Sequence, residues 1–291
     1  MRKLLLQLDS SPHPSVFDRI VALDAGADEV MSYGGVTEQT VRDLVHGAIF
    51  TRGPKDLRNT AIFIGGSDVT LGDRLLAAVR TAFFGPLRVS AMLDSNGSNT
   101  TAVAAVAKLQ QAVGDVTGRR VVITAGTGPV GRRAAGLLAK AGADVVITSR
   151  HSVERALVDA IRERFGGRAV RAVRMADRSQ AAAVIGADGD AELLLNAGPP
   201  GASLVPKSAW MGRAGLRAVA DLNAVPPLGI EGIEVTDDGV KREGATTFGA
   251  LGVGNLKMKI HKACIARLFE RNDLLLDAET IDELARERVP R

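Results

Sequence analysis

Three glycines with the spacing of a dinucleotide site follow an apolar run near the middle of the chain. The stretch "VVITAGTGPVG" (121–131) leads from a strand-like segment into a G-x-G-x-x-G motif, and a helical pattern begins at once. In this motif the first glycine allows a tight turn, the second lets the backbone approach a pyrophosphate, and the third lets the helix pack on the strand. The stretch therefore predicts a bound dinucleotide. The predicted contacts are Gly126, Thr127, Gly128, Pro129, Val130 and Gly131.

The end of the next apolar segment indicates which dinucleotide binds. The stretch "ADVVITSRH" ends in Ser149, Arg150 and His151, where an NAD site usually carries Asp or Glu for the ribose 2′-hydroxyl. Ser149 and Arg150 can hold a 2′-phosphate, with His151 beside them, and the stretch has no carboxylate that would repel it. One charge-assisted contact contributes about 1.5–3 kcal/mol, or roughly tenfold to a hundredfold in preference. The sequence therefore predicts NADP.

Two later strand ends are candidates for the nicotinamide side of the same site. The stretch "LLLNAGPPG" places Asn196, Ala197 and Gly198 after an apolar run, and "VADLNAVPPLG" does the same for Asp221 and Asn223. The prolines that follow stop each strand and stiffen the loop. Structural caps would have the same composition, so both interpretations stay open.

Two further groups of polar residues lie outside this unit. The stretch "DSNGSNTT" (94–101) joins an apolar run to an alanine-rich helical pattern, and its side chains and helix-terminal N–H groups can form a hydrogen-bonding floor. A plain capped helix start is the alternative. Farther along, Lys257 and His261 are four residues apart and share a helix face, whereas Lys259 and Lys262 point elsewhere. The Lys257–His261 pair is compatible either with a site or with a solvated surface.

Alternating strands and helices must position these residues. Within the first 114 residues the pattern predicts strands at 3–9, 47–52, 60–66 and 88–95 and helices at 16–26, 37–47, 69–85 and 99–114. Beyond them it predicts strands at 119–124, 144–149, 168–174, 192–198 and 216–223 and helices at 129–141, 152–165, 254–269 and 277–289. Such alternation is typical of parallel sheets with crossover helices. We therefore predict a two-domain α/β protein with an N-terminal α/β domain and a Rossmann-type doubly wound parallel sheet.

The composition limits the classes of function. The single cysteine, Cys264, allows no intramolecular disulfide, favours a reducing, cytoplasmic setting and lies in a helical pattern that predicts a buried, inert thiol. No apolar run approaches the ~20 residues of a membrane span, which predicts a soluble protein. The net charge of +4 is scattered and aromatics make up 3%, which disfavours nucleic-acid binding. The four histidines are far apart in the sequence, so no metal site is predicted.

With these stretches assembled, the sequence resembles, nearly end to end, the NADP-dependent methylene-tetrahydromethanopterin dehydrogenases of bacterial one-carbon metabolism. The resemblance depends on long runs, which are more specific than any glycine motif. They are "PSVFD" (14–18), "NTAIFIGG" (59–66), "FFGPLRVSAMLDSNGSNTT" (83–101), "AGTGPVG" (125–131), "PPLGIEGI" (226–233) and "FGALGVGNLKMKIHKACIA" (248–266).

The resemblance implies two domains around a cleft. A substrate domain, residues 1–107 with residues 256–291 folded back on it, would hold the pterin, and residues 108–255 would hold NADP. Members of the family are homo-oligomers, among them trimers. The implied reaction is hydride transfer from the methylene bridge of methylene-tetrahydromethanopterin to C4 of the nicotinamide. The product is a methenyl cation stabilised by two nitrogens, so orientation contributes more than a general base.

The resemblance also implies active-site residues in matching motifs. The catalytic set is Phe17, Thr101, Lys257 and His261. Phe17 would shape the pocket, Thr101 would form a hydrogen bond to the substrate, and the other two residues would position the substrate electrostatically. The polar loop then becomes part of the pterin pocket. The implied substrate-binding residues are Asp18, Ser95, Asn96, Asn99 and Thr100.

Two departures and two rivals accompany this interpretation. His151 stands where some relatives carry a firmly charged residue, and the loop "NAGPPGASLVP" is rich in proline, so NADP selectivity and the nicotinamide rim can differ. The nearest rival is a methylene-tetrahydrofolate dehydrogenase. The Y-x-x-x-K lysine of the related cyclohydrolases is missing, because Thr37 stands four residues after Tyr33, the only tyrosine. The second rival is an NADP-binding sensor without catalysis.

Overall fold

Parallel strands make up most of the framework. The structure is a computed structural model that describes residues 1–166, 169–187 and 190–289. The other positions, which include the first residue of the predicted strand 168–174 and the last two of the predicted segment 256–291, lie outside the described residues. The strands of the described chain are β1 (Leu4–Asp9), β2 (Glu29–Tyr33), β3 (Thr60–Gly65), β4 (Ser90–Leu93), β5 (Arg120–Thr124), β6 (Asp144–Ser149), β7 (Val170–Arg174), β8 (Leu193–Asn196), β9 (Ala218–Asp221), β10 (Asp238–Arg242), β11 (Ala245–Phe248) and β12 (Leu275–Leu276).

Helices alternate with most of these strands. They are α1 (Val16–Asp24), α2 (Val41–Ile49), α3 (Val69–Ala82), α4 (Ser98–Val113), α5 (Pro129–Lys140), α6 (Arg155–Phe165), α7 (Ala181–Gly186), α8 (Lys207–Trp210), α9 (Ala250–Leu268) and α10 (Ala278–Arg288). The chain forms two compact units, and the boundaries between them fall inside α4, after Thr100, and inside α9, after Lys257. The first unit contains β1–β4, β12 and α10. The second contains β5–β11.

The first unit is built on a five-stranded parallel sheet in the order β12-β4-β3-β1-β2. Its central strands are buried along their length, and side chains such as Leu8, Ile62 and Leu93 pack in one core with α2 and α3. The strand order reverses between β1 and β3, because β2 lies on one side of β1 and the later strands lie on the other. In open α/β sheets, ligands bind beyond the carboxyl ends of strands at such a point.

The predicted strand at 47–52 is wrong. Residues up to Ile49 belong to α2, in which Val41, Val45, Ala48 and Ile49 are buried with the spacing of one helix face. The apolar letters of "GAIF" are the end of that helical stripe rather than a strand. The sheet instead gains β2, which pairs with β1 in parallel. The segment Glu29–Tyr33 is short and partly exposed, as an edge strand can be, and its alternation was too weak to predict.

The second unit contains the doubly wound sheet that the sequence predicts. Its order is β10-β11-β9-β8-β5-β6-β7. Six of these strands are parallel, and β10 pairs antiparallel with β11. Without β10, this is the Rossmann order, which reverses between β5 and β8. The hairpin of β10 and β11 was not predicted, because β10 is a polar, mostly exposed edge strand.

Two further predictions concern the burial of the cysteine in α9 and membrane-spanning segments. Cys264 is buried in α9, as predicted. Burial raises the pKa of its thiol, and the nearby Asp94 carboxylate adds to the effect, so the thiol stays protonated. Among the described residues, no helix has the length and apolar character to cross a membrane.

Candidate active site

The glycine-rich turn between β5 and α5 has the geometry of a dinucleotide site. Ala125 follows β5 in a left-handed conformation with φ of 52°, and the Gly126 N–H donates to the Thr148 carbonyl oxygen at 2.9 Å. Gly128 is then the N-cap of α5, and Pro129 is its first residue. A proline fits at this position because the first N–H groups of a helix have no partner within the helix. The turn thus directs the start of α5 toward the end of β5.

The three positions of the motif carry glycine for different structural reasons. A Cβ on Gly126 would lie 2.6 Å from Cβ of Ile147, and one on Gly131 would lie 2.6 Å from Cα of Gly126, so the protein itself excludes both. A Cβ on Gly128 would meet only the Ala125 carbonyl oxygen, at 3.6 Å, which is ordinary contact. Packing therefore does not require glycine at position 128. Glycine at position 128 instead leaves the backbone open to an approaching ligand, and the helix N-terminus beside it favours a phosphate.

The end of β6 carries the residues predicted for the 2′-phosphate. Ser149 is half-buried, and Arg150 and His151 are exposed. The His151 N–H donates to Ser149 Oγ at 3.3 Å, which closes a small turn. Helix α6 begins only at Arg155, three residues later than predicted, so His151 belongs to the loop and not to the helix. The geometry leaves Arg150 available to an anion beside Ser149.

Asn196 and Asp221 form a buried hydrogen-bonded network behind the turn. The Thr124 hydroxyl donates to Asn196 Oδ1 at 2.7 Å, and Asn196 Nδ2 donates to Asp221 Oδ1 at 2.7 Å. Asp221 also accepts the N–H groups of Asn223 at 3.0 Å and Ile230 at 2.9 Å. Burial raises the pKa of the Asp221 carboxyl, although these hydrogen bonds oppose the shift. The network ties together the ends of β5, β8 and β9.

The polar side chains predicted at the nicotinamide rim also hold the protein's own loops in place. Asn223 Oδ1 accepts the N–H groups of Gly201 at 3.4 Å and Val225 at 2.9 Å, so it too is engaged by the protein. Ala197 and Gly198 are half-buried, and their N–H groups donate to the Thr124 carbonyl oxygen at 3.1 Å and to Asn196 Oδ1 at 3.2 Å. These hydrogen bonds give Asn196, Asp221 and Asn223 a structural role, and their contacts with the dinucleotide stay a prediction.

In the first unit, the loops at the point of strand reversal depend on Asp9. This buried carboxylate ends β1 and accepts the N–H groups of Ser11 at 2.7 Å and Ser15 at 3.0 Å. Ser15 in turn caps α1 by accepting the Asp18 N–H at 3.2 Å. The Ser67 N–H beyond β3 donates to the Ser11 hydroxyl at 3.1 Å. The roles of Asp9, Ser11 and Ser67 were not predicted from the sequence, although their positions at or just after strand-like runs were a usable signal.

The polar loop 94–101 depends on a second buried carboxylate, Asp94. Its Oδ1 accepts the N–H groups of Asn99 at 2.9 Å and Thr100 at 3.0 Å, and its Oδ2 accepts the Thr100 hydroxyl at 2.6 Å. Asp94 thereby satisfies N–H groups at the start of α4 that have no partner within the helix. This role of Asp94 was not predicted from the sequence.

The same loop turns most of its predicted substrate-binding side chains inward. Ser95 is buried and its hydroxyl donates to the Gly65 carbonyl oxygen at 2.9 Å. Asn99 is also buried, and its Nδ2 donates to the Leu93 carbonyl oxygen at 2.5 Å. Asn96 alone among the predicted loop residues is exposed, and it adopts φ of 53°. Within this loop, Asn96 is thus the most accessible of the predicted substrate-binding side chains, and the half-buried Thr101 follows it at the loop's end.

His261 lies beneath the loop and beside Phe17. It is fully buried in α9 and stacks on Phe63, with ring centroids 5.4 Å apart and an interplanar angle of 18°. Its Nδ1 lies 3.8 Å from Asp94 Oδ2. The Phe17 ring lies 6.4 Å from the His261 ring and is 49% exposed. The structure thus brings Phe17, His261 and the polar loop together within the first unit.

The other predicted catalytic residues lie at the boundaries of the units. Thr101 is half-buried in α4, and Lys257 is half-buried in α9, one helical turn before His261. Asp18 is half-buried in α1. Lys262, which the sequence placed on another face, pairs with Asp24 at 2.9 Å. Across residues 1–166, 169–187 and 190–289, no group of three or more His, Cys, Asp and Glu residues could hold a metal ion.

A Rossmann-type sheet with an open glycine turn defines a dinucleotide-binding α/β protein, and sequence comparison gives its family. The family model described as "Methylene-tetrahydromethanopterin dehydrogenase, N-terminal" matches residues 16–96. The "Bifunctional protein MdtA" of Methylorubrum extorquens is 49% identical over 98% of this chain and 99% of its own. The "NAD(P)-dependent methylenetetrahydromethanopterin dehydrogenase" of the same organism is 33% identical over 98% of both chains. The chain belongs to this family, which confirms the resemblance.

A solved structure supports the fold. Shikimate 5-dehydrogenase from Listeria monocytogenes, in complex with shikimate and NAD, superposes with a TM-score of 0.54. The match covers 97% of this chain and 96% of that chain at 14% identity. At this identity the likeness concerns the fold alone, and it confirms the two-sheet α/β class.

Proposed function

We propose that the protein is an NADP-dependent methylene-tetrahydromethanopterin dehydrogenase. The observation that carries this proposal is the full-length match to a relative that is named for this NAD(P)-dependent activity. The methylene carbon of the carrier loses a hydride, and the carrier becomes a methenyl cation shared between two nitrogens. The hydride would pass to NADP and give NADPH. No proton has to leave the reacting carbon, so the reaction needs little acid–base catalysis.

In the second unit, the residues at the turn suit the dinucleotide. Gly128 would admit the pyrophosphate to the backbone, and the N–H groups that begin α5 would donate to it. Ser149 and Arg150 would hold the 2′-phosphate. When bound, the dinucleotide supplies the nicotinamide ring that accepts the hydride. Ala197 and Gly198 would contact it through their backbone, while the Asn196–Asp221 network keeps the strand ends fixed.

In the first unit, we assign the carrier to the side where Phe17 is exposed. Phe17 would pack against the pterin, and Asn96 would contact it from the polar loop. Because His261 is fully buried, its role in the proposal is to support Phe17 and the loop from below. Thr101, Lys257 and Asp18 are assigned to the carrier because of the family motifs. These roles are a matter of orientation, which can contribute a large part of a rate enhancement.

The second candidate function uses a folate carrier. One relative is named a bifunctional protein, so a second substrate is worth measuring directly. Methylene-tetrahydrofolate carries the same bridge between two nitrogens, and the same hydride transfer applies to it.

We also propose a homo-oligomer, for which the support is the apolar face of α1, with Val16 70% and Ile20 53% exposed. Light scattering during size-exclusion chromatography gives the oligomeric state.

The test of the function is NADPH formation, followed by absorbance, with the purified protein. Each of the two methylene carriers is combined with NADP and with NAD. The proposal expects the fastest turnover with methylene-tetrahydromethanopterin and NADP. Faster turnover with the folate carrier would favour the second candidate. Binding of NADP without turnover of either carrier would contradict both and leave the dinucleotide-binding sensor.

A further inference from the structure

Arg174, at the end of β7, lies beside the residues assigned to the 2′-phosphate. It is paired with Ser149 in the register of β6 and β7. Its Nε donates to the Arg150 carbonyl oxygen at 3.2 Å. Two arginines are therefore adjacent at the carboxyl edge of this sheet, and the sequence pointed to only one of them as a ligand.

The side chain of Arg174 belongs to the face that carries the glycine turn. Gly126 lies directly against Ile147 of β6, since a Cβ at position 126 would come within 2.6 Å of the Ile147 Cβ. Side chains alternate along a strand, so Ser149 is on the same face as Ile147. Partners in register share a face, and Arg174 is the partner of Ser149. Arg174 thus extends from the face on which the pyrophosphate would bind.

The charge of Arg174 is not neutralised by an acid in the described part of the chain. Arg171, at the other end of the same strand, pairs with Asp144 at 3.5 Å, and Arg178 pairs with Glu231. Neither Arg150 nor Arg174 has such a carboxylate partner among the described residues, and both are exposed. An arginine without a carboxylate partner can bind a phosphate dianion through charge-assisted hydrogen bonds.

We propose that Arg174 is a second 2′-phosphate ligand and determines, with Arg150, the preference for NADP over NAD. This inference rests on the proposed function, since it concerns the same cofactor. The Arg150 carbonyl oxygen holds one N–H of the Arg174 guanidinium, and the remaining N–H groups can donate to phosphate oxygens. Ser149 contributes its hydroxyl proton, because its oxygen already accepts the His151 N–H. The ligand class is a 2′-phosphorylated adenosine.

The experiment is calorimetric binding of adenosine 2′,5′-bisphosphate and of 5′-AMP to the full chain, without any carrier. The variants are Arg174→Met, Arg150→Met, both together, and Arg217→Met as the matched control. Arg217 is an exposed arginine that precedes β9 and thus lies at the opposite edge of the same sheet. Because 5′-AMP lacks only the 2′-phosphate, its affinity reports whether each variant still folds and binds adenosine.

We expect Arg174→Met to weaken the bisphosphate about tenfold or more and to leave 5′-AMP within about twofold, as removal of one charge-assisted contact predicts. Arg217→Met should change neither ligand. The double variant should lose less than the product of the two single losses, because both arginines bind one phosphate. An unchanged ratio of the two affinities in Arg174→Met would overturn the inference while the dehydrogenase proposal stands. Failure of the wild-type protein to bind either nucleotide would instead refute the dinucleotide site itself.

Discussion

The two units shape the loops at the carboxyl ends of their strands with different chemistry. Each has a parallel sheet whose strand order reverses, and each has a buried carboxylate at a strand end that collects backbone N–H groups. In the first unit Asp94 does this at the surface loop itself and determines the shape of that loop. In the second, Asp221 lies behind the site, and glycines shape the turn that would meet the ligand. One site is therefore shaped by a side chain and the other by the absence of side chains.

The largest effect expected from this comparison is that of Asp94→Asn. The amide retains one oxygen but places an NH2 group where Asp94 now accepts N–H or O–H donors. We expect a loss of about 3 kcal/mol in the free energy of unfolding, in the range for breaking a buried charged hydrogen-bond network. Turnover with the carrier should fall at least tenfold. Urea denaturation and steady-state kinetics measure the two.

The matched control is Asp43→Asn, an exposed carboxylate in α2 of the same unit, which should stay within about 0.5 kcal/mol of the wild type. NADP affinity should be unaffected in both variants. If Asp94→Asn kept wild-type stability and turnover, the loop would not depend on this carboxylate.

The next effect is that of Gly131→Ala in the second unit. The new Cβ would lie 2.6 Å from Cα of Gly126, so the backbone of the turn must shift. Overpacking of this kind costs about 1–3 kcal/mol. We expect a lower thermal midpoint together with weaker NADP binding. A variant with unchanged midpoint and unchanged affinity would show that the close approach of helix to turn is not needed.

The Gly128→Ala substitution separates the effect on ligand binding from the effect on packing. Its Cβ meets only the Ala125 carbonyl oxygen, at 3.6 Å, so the thermal midpoint should stay within about 2 °C of the wild type. The methyl group would occupy the space assigned to the pyrophosphate, and NADP affinity should fall about tenfold. The expected signature is thus lost binding without lost stability, the reverse of a structural glycine. Wild-type affinity would place the pyrophosphate elsewhere.

The smallest effect is the pH dependence of Asp221→Asn. Burial raises the pKa of Asp221 above its ordinary value of 3.8, so between these two values the folded chain holds a proton that the unfolded chain has lost. Stability then decreases as pH rises through this window. The stability difference between wild type and Asp221→Asn should therefore shrink as pH rises from about 4 to 7. Urea denaturation at several pH values measures this difference.

Asp237→Asn is the control for this slope. Burial acts to raise the pKa of Asp237, but a bidentate Arg242 and the Thr247 hydroxyl hold it below its ordinary value. Its contribution is present above pH 3.8 and is lost only as pH falls further. The Asp237→Asn difference should therefore be constant over the same range. A constant difference for Asp221→Asn would mean that its pKa is not raised.

The contrast between the units also explains what the sequence could predict. The glycine turn was recognisable because dinucleotide binding requires glycines at set spacings, and the long parallel strands around it were apolar enough to place. Asp94 and Asp9 have no such spacing, since a carboxylate that folds back on its own loop reads like any polar loop residue. The inward direction of Ser95 and Asn99 depends on contacts with β3 and β4 that no local pattern encodes. Likewise, β2 and β10 are edge strands whose pairing, rather than propensity, defines them.

The central claim, that hydride passes from the carrier carbon to the cofactor, is tested most directly with isotope. Methylene-tetrahydromethanopterin deuterated at the methylene carbon is incubated with the protein and NADP, and the reduced cofactor is analysed by mass spectrometry and NMR. We predict one deuterium per NADPH, at C4 of the nicotinamide, and none in the solvent. Reduced cofactor without deuterium, or deuterium released to water, would contradict direct hydride transfer.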